Sequence, residues 1–381
     1  MALGEAFGDF VTEGLFLMRL SMKPLMINTF AVLAVLTLLT GCGEPQPDVA
    51  RSVAVMTDDS TDTFAPVVFG REFKFPQDHL PHEEFRNEWW YFTSNLEAES
   101  GEEFGVQWTL FRHASANRKG NGWQSPQRYM AHVVVTSEDK TWAFERFARG
   151  GVGQAGVMGH PFRAWMDNWY WRSYGDSPFP GVLTFDDEGV KAKLAVQQSG
   201  SLILQGDAGY SQKHPSLDIA SYYYSAPFLK VKGRLELDGQ TYYVTGNGWY
   251  DREWSSKGLS STQLGWDWFS MRLDDGSALM VYQIREKNKR PYYFGSRSWP
   301  NGHTEQLLSD QIRLSPVSFT THDGKNYPLS WYIEVPSHEL KLKVDVVRKE
   351  QWLPFVFSYW EGPIRITGSH SGQGFMELTG Y

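Results

Sequence analysis

From Phe73 to the C-terminus the chain is a succession of short apolar-aromatic runs, among them EWWYFTSNL, EFGVQWTLFRH, RYMAHVVVTS, TWAFERFAR, VKAKLAVQQ and FLKVKGRLEL, each cut off by Gly, Asp, Ser or Pro. Runs of that length and punctuation predict strands. No long segment of this region carries the apolar period of a helix. Aromatic residues make up 15% of the chain, with 16 Trp, 18 Tyr and 24 Phe, and pleated surfaces favour such side chains. Asp-Gly pairs at 238–239, 275–276 and 323–324 sit between such runs and predict hairpin turns. The expectation is an all-β fold, a sandwich or a barrel.

An internal echo divides that expectation in two. Glu88 to Leu96 (EWWYFTSNL) and Gly265 to Leu273 (GWDWFSMRL) align Trp89 with Trp266, Tyr91 with Trp268, Phe92 with Phe269 and Leu96 with Leu273, and each is followed by a strand ending in arginine, Arg112 and Arg285. Two copies of one architecture are expected, with the boundary between residues 235 and 236.

The segment from Met22 to Cys42, MKPLMINTFAVLAVLTLLTGC, has a basic start at Lys23, an apolar stretch from Leu25 to Leu39 and small residues before the cysteine. That is the anatomy of a secretory signal, too short for a membrane span. Leu39-Thr40-Gly41-Cys42 resembles the bacterial lipobox, which implies lipidation at Cys42 and a mature chain anchored on the periplasmic side. Gly43 after the cysteine favours the outer membrane. Residues before Met22, or before Met18, read as an upstream start, which leaves Met1, Met18 and Met22 as candidate first residues. Residues 43–72 read as a polar tether. The expected division is thus 1–42 signal, 43–72 tether, and domains at 73–235 and 236–381.

A net charge of -8 without any cluster of Lys and Arg argues against a nucleic-acid partner. Cys42 is the single cysteine, so neither an intramolecular disulfide nor a cysteine metal site can form. GVGQAG at 151–156 fits a dinucleotide-loop pattern, but Gly159 and Pro161 follow where its helix should begin. GSHSG at 368–372 places His370 where a nucleophile elbow needs serine. His79 and His82, with Glu83 or Glu84, have no helix to fix a metal spacing, and a solvated loop is the stronger reading. No metal and no cofactor are expected.

The stretch GNGWYDREWSS, Gly246 to Ser256, holds the remaining chemistry. In a regular strand Trp249, Asp251 and Glu253 share one face, and Tyr250, Arg252 and Trp254 the other. Two carboxylates beside tryptophan in a closed space would repel each other and lose water, and both effects raise pKa, so Asp251 could serve as an acid with Glu253 tuning it. Alternatively the acids face outward and Arg252 inward, the phase that Tyr242 and Val244 favour. A bulge at Gly246 or Gly248 would reverse it.

RNEWWYFTSNL, GVQWTLFR, LQGDAGYSQK, ASYYYS, GNGWYDREWSS, GWDWFSMRLDDGSALMVYQIR, YPLSWYIEVP, YWEGPIRITG and GFMELTGY run in order through the globular chain. Together they resemble the AttH-like and carotenoid hydratase (hydroxyneurosporene synthase) proteins. The resemblance implies two packed lipocalin-like antiparallel β-barrels with a cavity for an apolar small molecule. In the hydratase branch an aspartate matching Asp251 protonates an isoprenoid double bond, and water captures the cation. Here Trp249 stands where that branch has tyrosine, and Tyr222 and Tyr224 where it has histidine and tryptophan. WYDREWSS and YYYS look more like the AttH branch, which is associated with an ABC transporter in the envelope. Two functions are therefore expected: a lipoprotein that holds a lipid-, isoprenoid- or polyketide-like molecule for a transporter permease, or an acid-catalysed hydratase or cyclase. The expected ligand contacts are Tyr222, Tyr224, Trp249, Trp266, Trp89 and Tyr91.

Overall fold

A computed structural model describes residues 63–381. The signal segment, Cys42 and the first part of the expected tether lie outside the described residues. Residues 63–72, expected as the end of that tether, are seated on the first sheet: Ala65 N donates to Glu84 O at 2.9 Å, the Tyr222 hydroxyl donates to Val68 O at 2.9 Å, and Arg71 pairs with Asp78 at 2.6 Å. Phe64 is buried. Among the described residues no helix is long and apolar enough to cross a membrane.

Nearly all regular structure is β, in two antiparallel sheets of thirteen and ten strands. In the first, strand Asn87–Ala98 lies between Glu103–Ala114 and Gln240–Ser255, with Ala220–Leu237 beyond the latter. In the second, Gln263–Leu273 lies between Ala278–Glu286 and Gly372–Leu378, with Tyr359–Gly368 beyond. The same neighbourhood is thus built twice, as the sequence echo predicts. The first sheet curls into a nearly closed barrel, and the fold is all-β and lipocalin-like. Two of the Asp-Gly pairs turn with both residues at positive φ, Asp238 and Gly239 at 49° and 87°, Asp323 and Gly324 at 47° and 75°, the backbone that a two-residue hairpin requires.

The change of sheet falls between Ser255 and Gln263. The turn at Asp238-Gly239, near which the sequence suggests a domain boundary, instead joins two paired strands of the first sheet, Leu237 facing Gln240. A hairpin signal and a domain break look alike in sequence, because both are a short polar interruption between apolar runs.

The strands where the two sheets meet alternate between two apolar environments. Trp90, Phe92, Trp108, Tyr222, Tyr224, Tyr250 and Trp254 fill the first barrel, while Phe269, Met271, Trp331, Trp360 and Met376 fill the second. The opposite faces meet in a third cluster, including Tyr91, Tyr223, Trp249, Trp268, Tyr282 and Phe375. This layer between the sheets accounts for the near-continuous burial of Asn87–Ala98, Glu103–Ala114 and Gln263–Leu273: a strand buried on both faces has no solvent side. The approach is close at Gly105, where a Cβ would stand 2.9 Å from Pro363 Cγ.

Candidate functional site between the sheets

Strand alternation holds through Gln240–Ser255, and the register with its neighbour is unbroken from Asn87 to Ala98. Asp251 and Glu253 therefore share a face with Trp249, turned away from the first barrel's core and into the layer between the sheets. Arg252 points into the barrel. No bulge occurs at Gly246 or Gly248; the register shift lies in the partner strand, between Ala226 and Leu229.

Asp251 is buried. Ser225 Oγ donates to its Oδ1 at 2.5 Å and the Trp249 indole N–H to the same oxygen at 2.8 Å. Burial pushes the carboxyl up to about 7, against the hydrogen bonds of Ser225, Trp249 and Tyr223, and the charge of Glu253 adds to the rise. Desolvation is the dominant cause, as it is for any carboxyl walled by aromatic surface. Glu253 accepts from Ser221 and pairs with Lys213 at 2.8 Å. Lys213 lies against the faces of Tyr282 and Tyr223, 4.6 and 5.1 Å from their centroids.

The second sheet supplies two further acids, Glu361 and Glu377, which face each other across paired strands. Glu361 accepts a hydrogen bond from the Tyr91 hydroxyl, and burial, then the charge of Glu377, drives it well above the carboxylate range. Glu377 is raised to about 7 by burial, with a Trp266 hydrogen bond opposing and the charges of Glu253 and Asp251 adding. Trp268 closes the space, its ring 5.4 Å from Tyr91 and 6.4 Å from Trp249.

Of the residues the sequence singles out, Asp251, Glu253, Trp249, Trp89, Tyr91 and Trp266 converge on this layer. Tyr222 and Tyr224 do not. They pair across the strands with Trp254 and Arg252 and enter the first barrel, where Tyr224 OH meets His79 Nδ1 at 2.6 Å. The tyrosine beside the acid is Tyr223, because Tyr223 faces Glu253 and Ser225 faces Asp251. Resemblance aligned the right strand without its phase. Glu361 and Glu377 went unread in YWEGPIRITG and GFMELTGY, although a lone acid inside an apolar strand is a signal that could have found them.

His79 and His82 belong to a buried polar plug at the barrel end. His82 contacts Asp78 Oδ1 at 3.0 Å and Glu88 Oε1 at 2.7 Å, and Glu88 also binds Arg112 at 2.8 Å and Arg252 at 2.5 Å. Burial opposes the Glu88 charge, but Arg252 and Arg112 overcome it and hold the carboxyl well below its usual range. Among the described residues no group of three or more His, Cys, Asp and Glu is placed to hold a metal ion. A cavity of about 230 Å³ lined by Phe64, Val67, Arg86, Asp218 and Lys257, among others, lies elsewhere and contains none of the interface acids; burial and convergent polarity, rather than empty volume, mark the acid layer as the site.

Fold and site together define a lipocalin-like double-sheet β protein with carboxylic acids buried between its halves. The chain belongs to the AttH-like family, whose sequence profile matches residues 66–381. An AttH-type protein of Nitrosomonas europaea is 34% identical, with a TM-score of 0.75 over 84% of this chain and 99% of that one. Kievitone hydratase from Nectria haematococca shares the fold at 14% identity, with a TM-score of 0.63 over 85% of this chain and 98% of that one. A dehydratase of Emericella nidulans, asqC, is 27% identical over 105 residues, which is 25% of this chain and 28% of that protein's length.

Proposed function

We propose that this protein is an acid-catalysed hydro-lyase, adding water to or removing it from an apolar isoprenoid- or polyketide-like molecule held between the two sheets. The observation that carries this reading is Asp251: a buried carboxyl with its pKa near neutrality, among aromatic faces. Its proton passes to an alkene carbon, the resulting cation lies against the π faces of Trp249, Trp268 and Tyr223, and a water molecule closes on it, giving up its extra proton to a second carboxylate of the layer. In the reverse sense a second acid protonates the leaving hydroxyl, and the Asp251 carboxylate takes back the proton from carbon. The names of the hydratase and the dehydratase among similar proteins favour this over a carrier alone. A lipid at Cys42 would hold the chemistry at the periplasmic face of the envelope, where an ABC transporter permease could exchange the molecule.

The test is incubation with acyclic polyenes, lycopene among them, in ¹⁸O-labelled water, followed by mass spectrometry. Label incorporation is expected from the native chain, with Asp251→Asn slower by about 10²–10⁴-fold and with unchanged near-UV circular dichroism. Equal rates in the two proteins would remove Asp251 as the acid. Polyenes that bind and return unlabelled would leave the carrier reading.

A further inference from the structure

Hydration and dehydration both need a second proton-handling group, one that takes a proton from the attacking water or returns it. Asp251 stands in a row of residues at matched register on one face of the first sheet: Ser225, Asp251, Tyr91, Thr109, His132 and Glu145 face one another across six adjacent strands. The row runs from the buried acid to an outer strand, where Glu145 is partly exposed.

The contacts along it form a chain. Glu145 Oε1 meets His132 Nε2 at 3.1 Å, and His132 Nδ1 meets the Tyr359 hydroxyl at 2.8 Å. Gln107 Nε2 also donates to that hydroxyl at 2.9 Å. Tyr359 stands two residues before Glu361 on strand Tyr359–Gly368, so the two side chains share a face, and Glu361 accepts from Tyr91. Gln107 occupies one lone pair of the Tyr359 oxygen; when Glu145 carries a proton and gives it to Nε2 as a hydrogen bond, the His132 proton sits on Nδ1 and fills the other lone pair, and the phenol proton is free to turn toward Glu361. Phe355 covers His132, ring centroids 4.2 Å apart, and keeps the link dry.

We propose that Glu361 and Glu377 share one proton as the second acid-base group of the interface site, and that Tyr359, His132 and Glu145 relay protons between this pair and solvent. This rests on the hydro-lyase reading for its purpose, but not for its test. In the charging direction the Tyr359 O–H bond breaks as the Glu361 O–H bond forms. Tyr359 takes the His132 Nδ1 proton, and Nε2 takes the proton of the Glu145 carboxyl, which solvent then replaces. One proton enters, one arrives, and no tyrosinate persists. Asp251, Glu253 and Tyr91 face the pair from the first sheet, and Lys213 offsets Glu253, so the glutamates are the site where a single proton is most strongly shared. Tyr359 and His132 are positioning residues; the glutamates would touch the reacting water.

Infrared titration of the unliganded protein in D₂O tests this. The native chain should show a buried carboxylic-acid band near neutral pH, reduced in Glu361→Gln and in Glu377→Gln alike. After a rapid pH jump, the band should develop about tenfold or more slowly in Tyr359→Phe and in His132→Asn than in the native chain, with native near-UV circular dichroism and with external imidazole restoring the rate in the histidine variant. A band untouched by either glutamine substitution would overturn the shared proton, and native rates in both relay variants would overturn the relay. Failure of polyene hydration leaves these readouts intact, and their failure leaves Asp251→Asn to be judged by hydration alone.

Discussion

Asp251 and Arg252 are adjacent in the chain and have opposite electrostatic surroundings. Arg252 enters the first barrel, lies 3.8 Å over the Trp90 ring and meets a carboxylate that neutralises it. Asp251 enters the layer between the sheets, where burial outweighs its neutral donors and its proton is retained to about pH 7. Those donors favour the charged form, which gives a sign to their removal: Ser225→Ala should raise the Asp251 pKa further and move the alkaline limb of the pH-rate profile upward, whereas a pH profile unchanged from the native one would mean that Ser225 does not set the acid. The opposed faces of Asp251 and Arg252 were legible in GNGWYDREWSS from alternation alone. Which face was closed was not, because that depends on the second sheet. The same limit explains Tyr222 and Tyr224: phase against a partner strand is set by the irregularity between Ala226 and Leu229, which Pro227 announces only weakly.

At the scale of elements, the first barrel is pinned at one end by Glu88, set between Arg112, Arg252 and His82 with none of its side chain exposed. Removing that charge would leave two buried guanidinium groups facing each other, and breaking a buried pair costs about 3–5 kcal/mol. Glu88→Gln should lower the unfolding free energy measured in urea by that order, and Arg112→Met added to it should recover part of the loss; additive losses would indicate that the pair does not act as a unit. In the second barrel Arg285, which the echo aligns with Arg112, pairs with the buried Asp267 at 3.4 Å, but there burial outweighs the arginine and raises the carboxyl. Strand identities, the Asp-Gly hairpins and the echo were readable because each is local. The boundary at 235–236 was not, since only pairing across the sheet separates a hairpin from a change of sheet.

For the whole molecule, pH acts in opposite directions on the two regions. Glu88 and Asp78 have lowered pKa values, so their contribution is present above the ordinary carboxylate range and is lost as pH falls through their folded values. Asp251 and Glu377 are raised to about 7 and bind protons more tightly folded than unfolded. Their contribution is full below about pH 4 and is lost as pH rises through about 7. Urea stability should therefore decline from mildly acidic pH toward neutrality, with hydrogen exchange rising first in Tyr359–Gly368 and Gly372–Leu378, and Asp251→Asn should flatten the decline; a stability that climbs across this interval would contradict the raised carboxyls. The layer responsible exists only because the second sheet docks on the first. A chain in which the first sheet alone has formed carries an ordinary, hydrated aspartate at position 251, with no glutamate pair opposite and no aromatic wall. On the proposed hydro-lyase reading the acid therefore needs both sheets in place, and a copy whose halves have not docked lacks it.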